Sequence, residues 1–185
     1  MKIFIDTEFT GLHQNTSLIS IGIVTEDNRY FYAELNDYDK SQIDEWLYNN
    51  IIKNLSYNTY RTNSLIPEIK PNIAKKYGMK SNRKDITKAL IEFLSPYDNI
   101  EIWSDCLAYD WVLFCELFGG ALNLPKNISY IPMDICTLMK MKNIDPDINR
   151  EEFISEYITN EEHNKHNALW DAKVIKWCYE KLITI

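Results

Sequence analysis

The chain has 185 residues, is 45% hydrophobic and 25% charged, and carries a net charge of −7. That composition excludes a disordered or low-complexity protein and fits an ordinary globular one, most simply a single domain over 1–185. No run approaches the roughly 18 apolar residues of a membrane helix, and the opening apolar run breaks at Asp6, far short of a signal sequence.

Residues 1–5 (MKIFI) are apolar, β-branched and aromatic, and predict a buried strand. The stretch Asp6-Thr7-Glu8-Phe9-Thr10-Gly11-Leu12 follows, closing in a turn. Strand side chains alternate faces, so Asp6 and Glu8 point the same way, roughly 7 Å apart at their Cα atoms. Two such carboxylates repel each other and are costly to desolvate unless a positive charge sits between them. A divalent cation meets that need.

Residues 17–25 (SLISIGIVT) alternate as a strand, Glu26-Asp27-Asn28 is a turn, and 29–35 (RYFYAEL) is the returning strand. The spacing of Ile43, Trp46, Leu47, Ile51 and Leu55 predicts a helix over 41–55. The stretch 56–81 holds Pro67, Pro71 and Gly78 without a sustained period, and reads as loop with one short helix near 73–77. A helix over 82–95 opens on Asn82 with Asp85 at capping-box spacing. Then come a strand at 100–104 (IEIWS), a helix at 109–118 ended by Gly119-Gly120, a short strand at 130–134 and a short helix at 135–141. A helix around 151–157 and a final helix over 167–182 complete the chain. The order βββ, α, β, α, β, α predicts an α/β fold, a mixed sheet with helices on its faces.

Charge is uneven. Between 61 and 84 stand seven basic residues against one acid, Glu68, a balance of +6 that leaves −13 for the rest. This segment reads either as a solvated loop or as a basic lip for phosphates, with Lys75, Lys76 and Lys80 as contacts. The stretch from Asp145 to Glu156 mimics a calcium loop, but its sixth position is Arg150 where glycine is needed, so it reads as a solvated acidic turn. Cys106, Cys115, Cys136 and Cys178 have no CxxC or ligand spacing and read as reduced thiols of a cytoplasmic protein.

Near the C-terminus stands His166-Asn167-Ala168-Leu169-Trp170-Asp171. Five residues span about 500° of helix, so His166 and Asp171 lie about 140° apart on a regular helix. They converge only if His166 belongs to the loop and folds back over the helix start. Asp110 falls in the first turn of its helix, with Asp105 as a nearby rival.

DTEFTGL, Ala108-Tyr109-Asp110 and HNALWDA resemble the three motifs of the DEDDh 3′–5′ exonucleases, a family that includes RNase T and oligoribonuclease. The likeness is nearest to the small stand-alone exoribonucleases, and it covers about 1–35 and 100–178. It implies a ribonuclease H-like fold: a mixed sheet of five to six strands, an antiparallel three-strand meander then parallel strands, with helices on both faces. It implies two Mg²⁺ or Mn²⁺ ions held by Asp6, Glu8, Asp110 and Asp171, with His166 as general base. It implies a substrate floor from Thr7, Phe9, Thr10, Gly11 and Leu12, a single-stranded RNA or DNA substrate, and a homodimer. The expected reaction is hydrolysis of RNA ends to 5′-mononucleotides, with the same chemistry on DNA as the first rival and a non-catalytic nucleic-acid-binding module as the second.

Overall fold

The computed structural model describes residues 1–57, 70–158 and 166–185. Lys2–Phe9 (β1), Leu18–Thr25 (β2) and Tyr30–Leu35 (β3) form the expected antiparallel meander. The β2–β3 turn closes on Asn28, whose φ of 61° is the left-handed value asparagine tolerates. Lys76–Ser81 (β4) runs parallel to β3, Glu101–Ser104 (β5) parallel to β1, and Met133–Asp134 (β6) parallel to β5. The strand order β4-β3-β2-β1-β5-β6 gives β1 a neighbour on each side. This is the ribonuclease H-like mixed sheet, with six strands.

The helices are Glu45–Asn50 (α1), Arg83–Leu94 (α2), Leu107–Leu117 (α3), Ile135–Met141 (α4), Arg150–Phe153 (α5) and Ala168–Leu182 (α6). They cover both faces of the sheet, and the alternation along β1 sorts them. Ile3 and Ile5 point to one face, where Ile86, Leu90 and Phe93 of α2 and Leu113 and Phe114 of α3 complete a core. Phe4 points to the other, against Met139 of α4 and Trp170, Val174, Ile175 and Cys178 of α6. Each of the fully buried large side chains contributes about 1.5–3 kcal/mol. Asp6 and Glu8 share the parity of Phe4, so β1 delivers them to the α6 side.

Two contacts hold α6 on that side. A Cβ built on Gly22 would lie 2.1 Å from the Ala168 carbonyl oxygen, so the start of α6 rests directly on the β2 backbone. Gly22 is the register partner of Asp6, which brings the helix start beside that carboxylate. Further along, the buried ammonium of Lys176 donates to the carbonyls of Thr25 and Glu26 (both 3.1 Å) and to Asn28 Oδ1 (2.6 Å). A buried cation needs such a full set of acceptors.

The structure corrects several expectations. The helix over 41–55 is broken into a 3₁₀ turn Lys40–Gln42, the six-residue α1, and a 3₁₀ turn Ile52–Asn54. The cause is Asp44, whose carboxylate accepts the Leu47 N–H at 2.8 Å and starts α1 there. Leu47, Ile51 and Leu55 are buried with Ile19, but Trp46 is not part of that core and is 55% exposed. The short helix near 73–77 is absent. Instead β4 stands at 76–81, a strand whose interior Gly78 hides its pattern and admits Tyr57, since a Cβ there would lie 2.1 Å from the Tyr57 hydroxyl. The helix around 151–157 shrinks to α5, and the strand at 130–134 to β6. At α2, Asn82 Oδ1 accepts the Asp85 N–H (3.0 Å), while Asp85 answers through the Asn82 side-chain amide (2.9 Å) rather than the backbone.

The described part of the basic segment, 70–84, stands away from the carboxylates. Its β4 portion is the sheet edge, separated from β1 by β3 and β2. Lys80 is turned inward, ion-paired with Glu34 (3.4 Å) and donating to the Tyr57 carbonyl (2.8 Å). Arg61, Tyr60, Pro67 and Glu68 lie outside the described residues, as does His163.

Gly22→Ala forces the new methyl into the Ala168 carbonyl or α6 off the sheet. It is expected to lower unfolding stability by about 1–3 kcal/mol in a denaturant titration.

Candidate active site

The end of β1 carries acids on one parity and a hydrogen-bond donor on the other. On the α6 face, one carboxylate oxygen each of Asp6, Glu8 and Asp171 lies within 4.8 Å of the others. Asp171 stands in the first turn of α6, beside the Gly22 contact. A second trio, Asp6, Asp105 and Asp110, meets the same 4.8 Å span. Asp6 belongs to both.

Thr7 has the opposite parity and reaches Asp110. Its backbone N–H (3.1 Å) and hydroxyl (2.5 Å) both donate to Asp110 Oδ1, and the Ser104 hydroxyl donates to Oδ2. Asp110 is 0% exposed in the first turn of α3, tying β1, β5 and that helix at one point. Asp105, at the end of β5, is ion-paired with Arg150 (Nε to Oδ2, 3.4 Å). Arg150 also donates to the Ile148 carbonyl (2.8 Å) and the Cys136 sulfur (3.2 Å). The guanidinium thereby pins the 145–151 stretch beside the acids.

Burial and crowding show in the acidities. Asp6 is held well above the usual carboxylate range, first by burial and then by Asp110, Asp171, Glu8 and Asp105. Glu8 is pushed up to about 8 by burial, then by Asp171 and Asp110. Burial raises Asp110 to about 7, against hydrogen bonds from Ser104 and Thr7 that favour its charged form. Asp105 is raised by burial, with Arg150 pulling it back.

His166 sits two residues before α6 with φ 63°, in the left-handed region. It lines a cavity that Asp171 also lines. It borders two cavities. One, of about 400 Å³, is lined by Asp6, Asp105, Asp171 and Arg150. The other, of about 330 Å³, is lined by Phe9, Thr10, Gly11, Leu12 and Trp46. Leu12 is 73% exposed, Phe9 is half-buried and stacked on Tyr109 (5.2 Å between centroids), and Trp46 meets His166 edge-on at 5.7 Å.

Two residues expected at the substrate floor direct their side-chain hydrogen bonds to groups of the protein itself. The Thr7 side chain is turned to Asp110. Thr10 is buried and braces its loop, accepting the Ser17 N–H (2.8 Å) and donating to Gln42. Three features escaped the sequence reading. Trp46 shares the helical spacing of Leu47, Ile51 and Leu55 yet is exposed, and its neighbour Asp44, a good helix cap, is the signal that α1 starts just ahead of it. Asp105 enters the cluster together with Asp110 rather than in place of it. The acidic turn contributes Asp147, Asn149, Arg150 and Glu151 to the wall of the larger cavity.

A ribonuclease H-like sheet with its acids gathered at the end of the central strand defines a hydrolytic nuclease. The chain belongs to the 3′-5′ exoribonuclease Rv2179c-like domain family, whose profile matches residues 1–183. Two relatives, named 3′-5′ exoribonuclease Rv2179c and 3′-5′ exoribonuclease MT2234.1 and both from Mycobacterium tuberculosis, are each 32% identical over 130 residues, covering 69% of this chain and 67% of theirs. Among the described residues, no helix is long and apolar enough to cross a membrane.

Acids whose folded-state pKa is raised favour folding at low pH and lose that contribution as pH rises to the folded value. Glu8 (from 4.5 to about 8) and Asp110 (from 3.8 to about 7) place the loss between about pH 4 and 8. The metal-free protein is expected to melt progressively lower across that window, and Mn²⁺ at pH 8 to recover the loss. A melting temperature rising with pH in EDTA would contradict the crowded-acid picture.

Proposed function

We propose that the chain acts as one DEDDh-type exonuclease domain over 1–185, removing 5′-mononucleotides from the 3′ end of single-stranded RNA in the cytoplasm with two divalent cations, Mg²⁺ or Mn²⁺. The observation that carries this reading is that Asp6 is common to two carboxylate trios. Buried acids held above their usual range are suited to cations, which relieve both the repulsion and the desolvation. Asp6, Glu8 and Asp171 would hold one ion; Asp6 with Asp110 and Asp105 would hold the other. When bound, the pair supplies charge neutralisation at the phosphate and an acidified water.

The protein's own groups do the rest. His166, at the boundary of the two cavities, receives the proton of the attacking water. The smaller cavity takes the terminal nucleoside, its base against Leu12 and Trp46, with Phe9 held from behind by Tyr109. Gly11 lets the backbone approach the sugar. Thr7 serves by fixing Asp110, and Thr10 by bracing the loop that carries Gly11 and Leu12. Four cysteines without a disulfide suit a reducing compartment.

End-labelled RNA and DNA oligonucleotides of one sequence, incubated with Mg²⁺, Mn²⁺ or EDTA, test polarity, sugar preference and metal need together. RNA shortened from its 3′ end and no turnover in EDTA are expected; equal or faster loss of DNA would overturn the sugar preference. Asp6→Asn should lower kcat by about 10³-fold or more, since it weakens both trios at once. Turnover surviving that change would end the two-cation reading. Trp46→Ala should raise KM by about 10- to 100-fold, the loss of one base stack worth about 1–3 kcal/mol, with kcat little changed.

A further inference from the structure

Glu34 is a fully buried carboxylate to which the hydrolysis assigns no task. It lies on β3, in the register row Glu8, Ser20, Glu34, Lys80 that crosses the sheet on the α6 face. We propose that a buried polar chain from Lys80 through Glu34 and Tyr32 to Asn167 is a positioning device for His166. The inference rests on reading His166 as the general base.

The direction of each hydrogen bond follows from the donors available. Glu34 Oε1 accepts from the Tyr32 hydroxyl (2.9 Å) and the Tyr57 N–H (2.9 Å), while the Lys80 ammonium stands 3.4 Å from Oε2. Tyr32 has one proton and gives it to Glu34, so its oxygen is left as an acceptor. Asn167 Nδ2 lies 3.5 Å from that oxygen and 3.5 Å from Ser56 Oγ. Asn167 Oδ1 is taken by the N–H groups of Leu169 (3.2 Å) and Trp170 (3.3 Å), where it caps α6. Every polar atom of this buried amide is therefore assigned, and the amide cannot flip without losing its partners on both sides.

His166 is the residue just before this anchor. Its left-handed backbone is uncommon for a non-glycine residue and persists only where neighbours over-determine it. On its C-terminal side the determinants are Asn167, locked by Tyr32 and Glu34, and Ala168, seated on Gly22. Tyr32 is itself the β3 register partner of Gly22, which pairs with Asp6, so anchor and carboxylates share one cross-strand row. Tyr32 and Glu34 touch neither substrate nor reacting atoms; they act through Asn167 on the placement of the imidazole.

The test is a double-mutant cycle on a single-stranded RNA oligonucleotide with Mn²⁺, supported by Mn²⁺ titration calorimetry. Tyr32→Phe should lower kcat by about tenfold with KM and Mn²⁺ affinity within about twofold. In a His166→Ala background the same change should cost less than about twofold, since the group it positions is gone. Equal losses in both backgrounds, or a kcat unchanged by Tyr32→Phe, would overturn the proposal. Glu34→Gln, which keeps the shape and both accepted bonds but loses the pairing with Lys80, is the second variant should Tyr32→Phe fail to fold. It should lower kcat in the same direction, again only while His166 is present, and a background-independent loss counts against the proposal. If His166→Ala alone leaves kcat unchanged, the base assignment fails first, which separates that outcome from a failure of the positioning chain.

Discussion

The arrangement depends on a repulsion. Five acids converge at one end of β1, and burial holds four of them, Asp6, Glu8, Asp105 and Asp110, above the range where a carboxylate ordinarily ionises. A fold does not assemble such a group by accident of packing, because each member adds to the cost of the others. The surrounding structure is a set of devices that carry this cost. Thr7 and Ser104 donate to Asp110, Arg150 faces Asp105, and the Lys176 ammonium clamps α6 far enough along its length for Asp171 to be held in place.

The period of two along β1 divides the labour. Asp6 and Glu8 fall on the parity that meets α6, and Thr7 on the parity that meets α3. One strand thus presents charge to one layer and a donor pair to the other. A shift of register by one residue would exchange them and place two carboxylates against an apolar core. The contact of Gly22 with Ala168 fixes the height of α6 above the sheet and so the distance from Asp6 to Asp171.

Much of this was legible from the residues. The meander, α2, α3, α4 and α6 were readable because their apolar positions keep a clean period, and the Asp6–Glu8 pair because alternation is a local rule. Other features depend on tertiary partners. β4 carries Gly78 and a run of lysines, and only its pairing with β3 and its packing on Tyr57 make it a strand. Trp46 fitted a helical face on paper, but Asp44 caps the chain just ahead of it and leaves the indole exposed over the smaller cavity. Asp105 and Asp110 looked like competitors because they stand five positions apart in the sequence. The turn from β5 into α3 folds that interval so that both reach Asp6. The acidic stretch after α4 carried no sign that Arg150 would fasten it to the site.

Asp110 has a consequence for how such chains change over time. Its carboxylate is the knot between β1, β5 and α3, held by Thr7 and Ser104 with no exposure to solvent. An apolar side chain there strands three donors in the interior. A descendant that ceased to cut RNA would still be constrained to keep an acceptor at 110 by folding alone. Among descendants of this chain, then, retention of Asp110 testifies to the fold as much as to the chemistry.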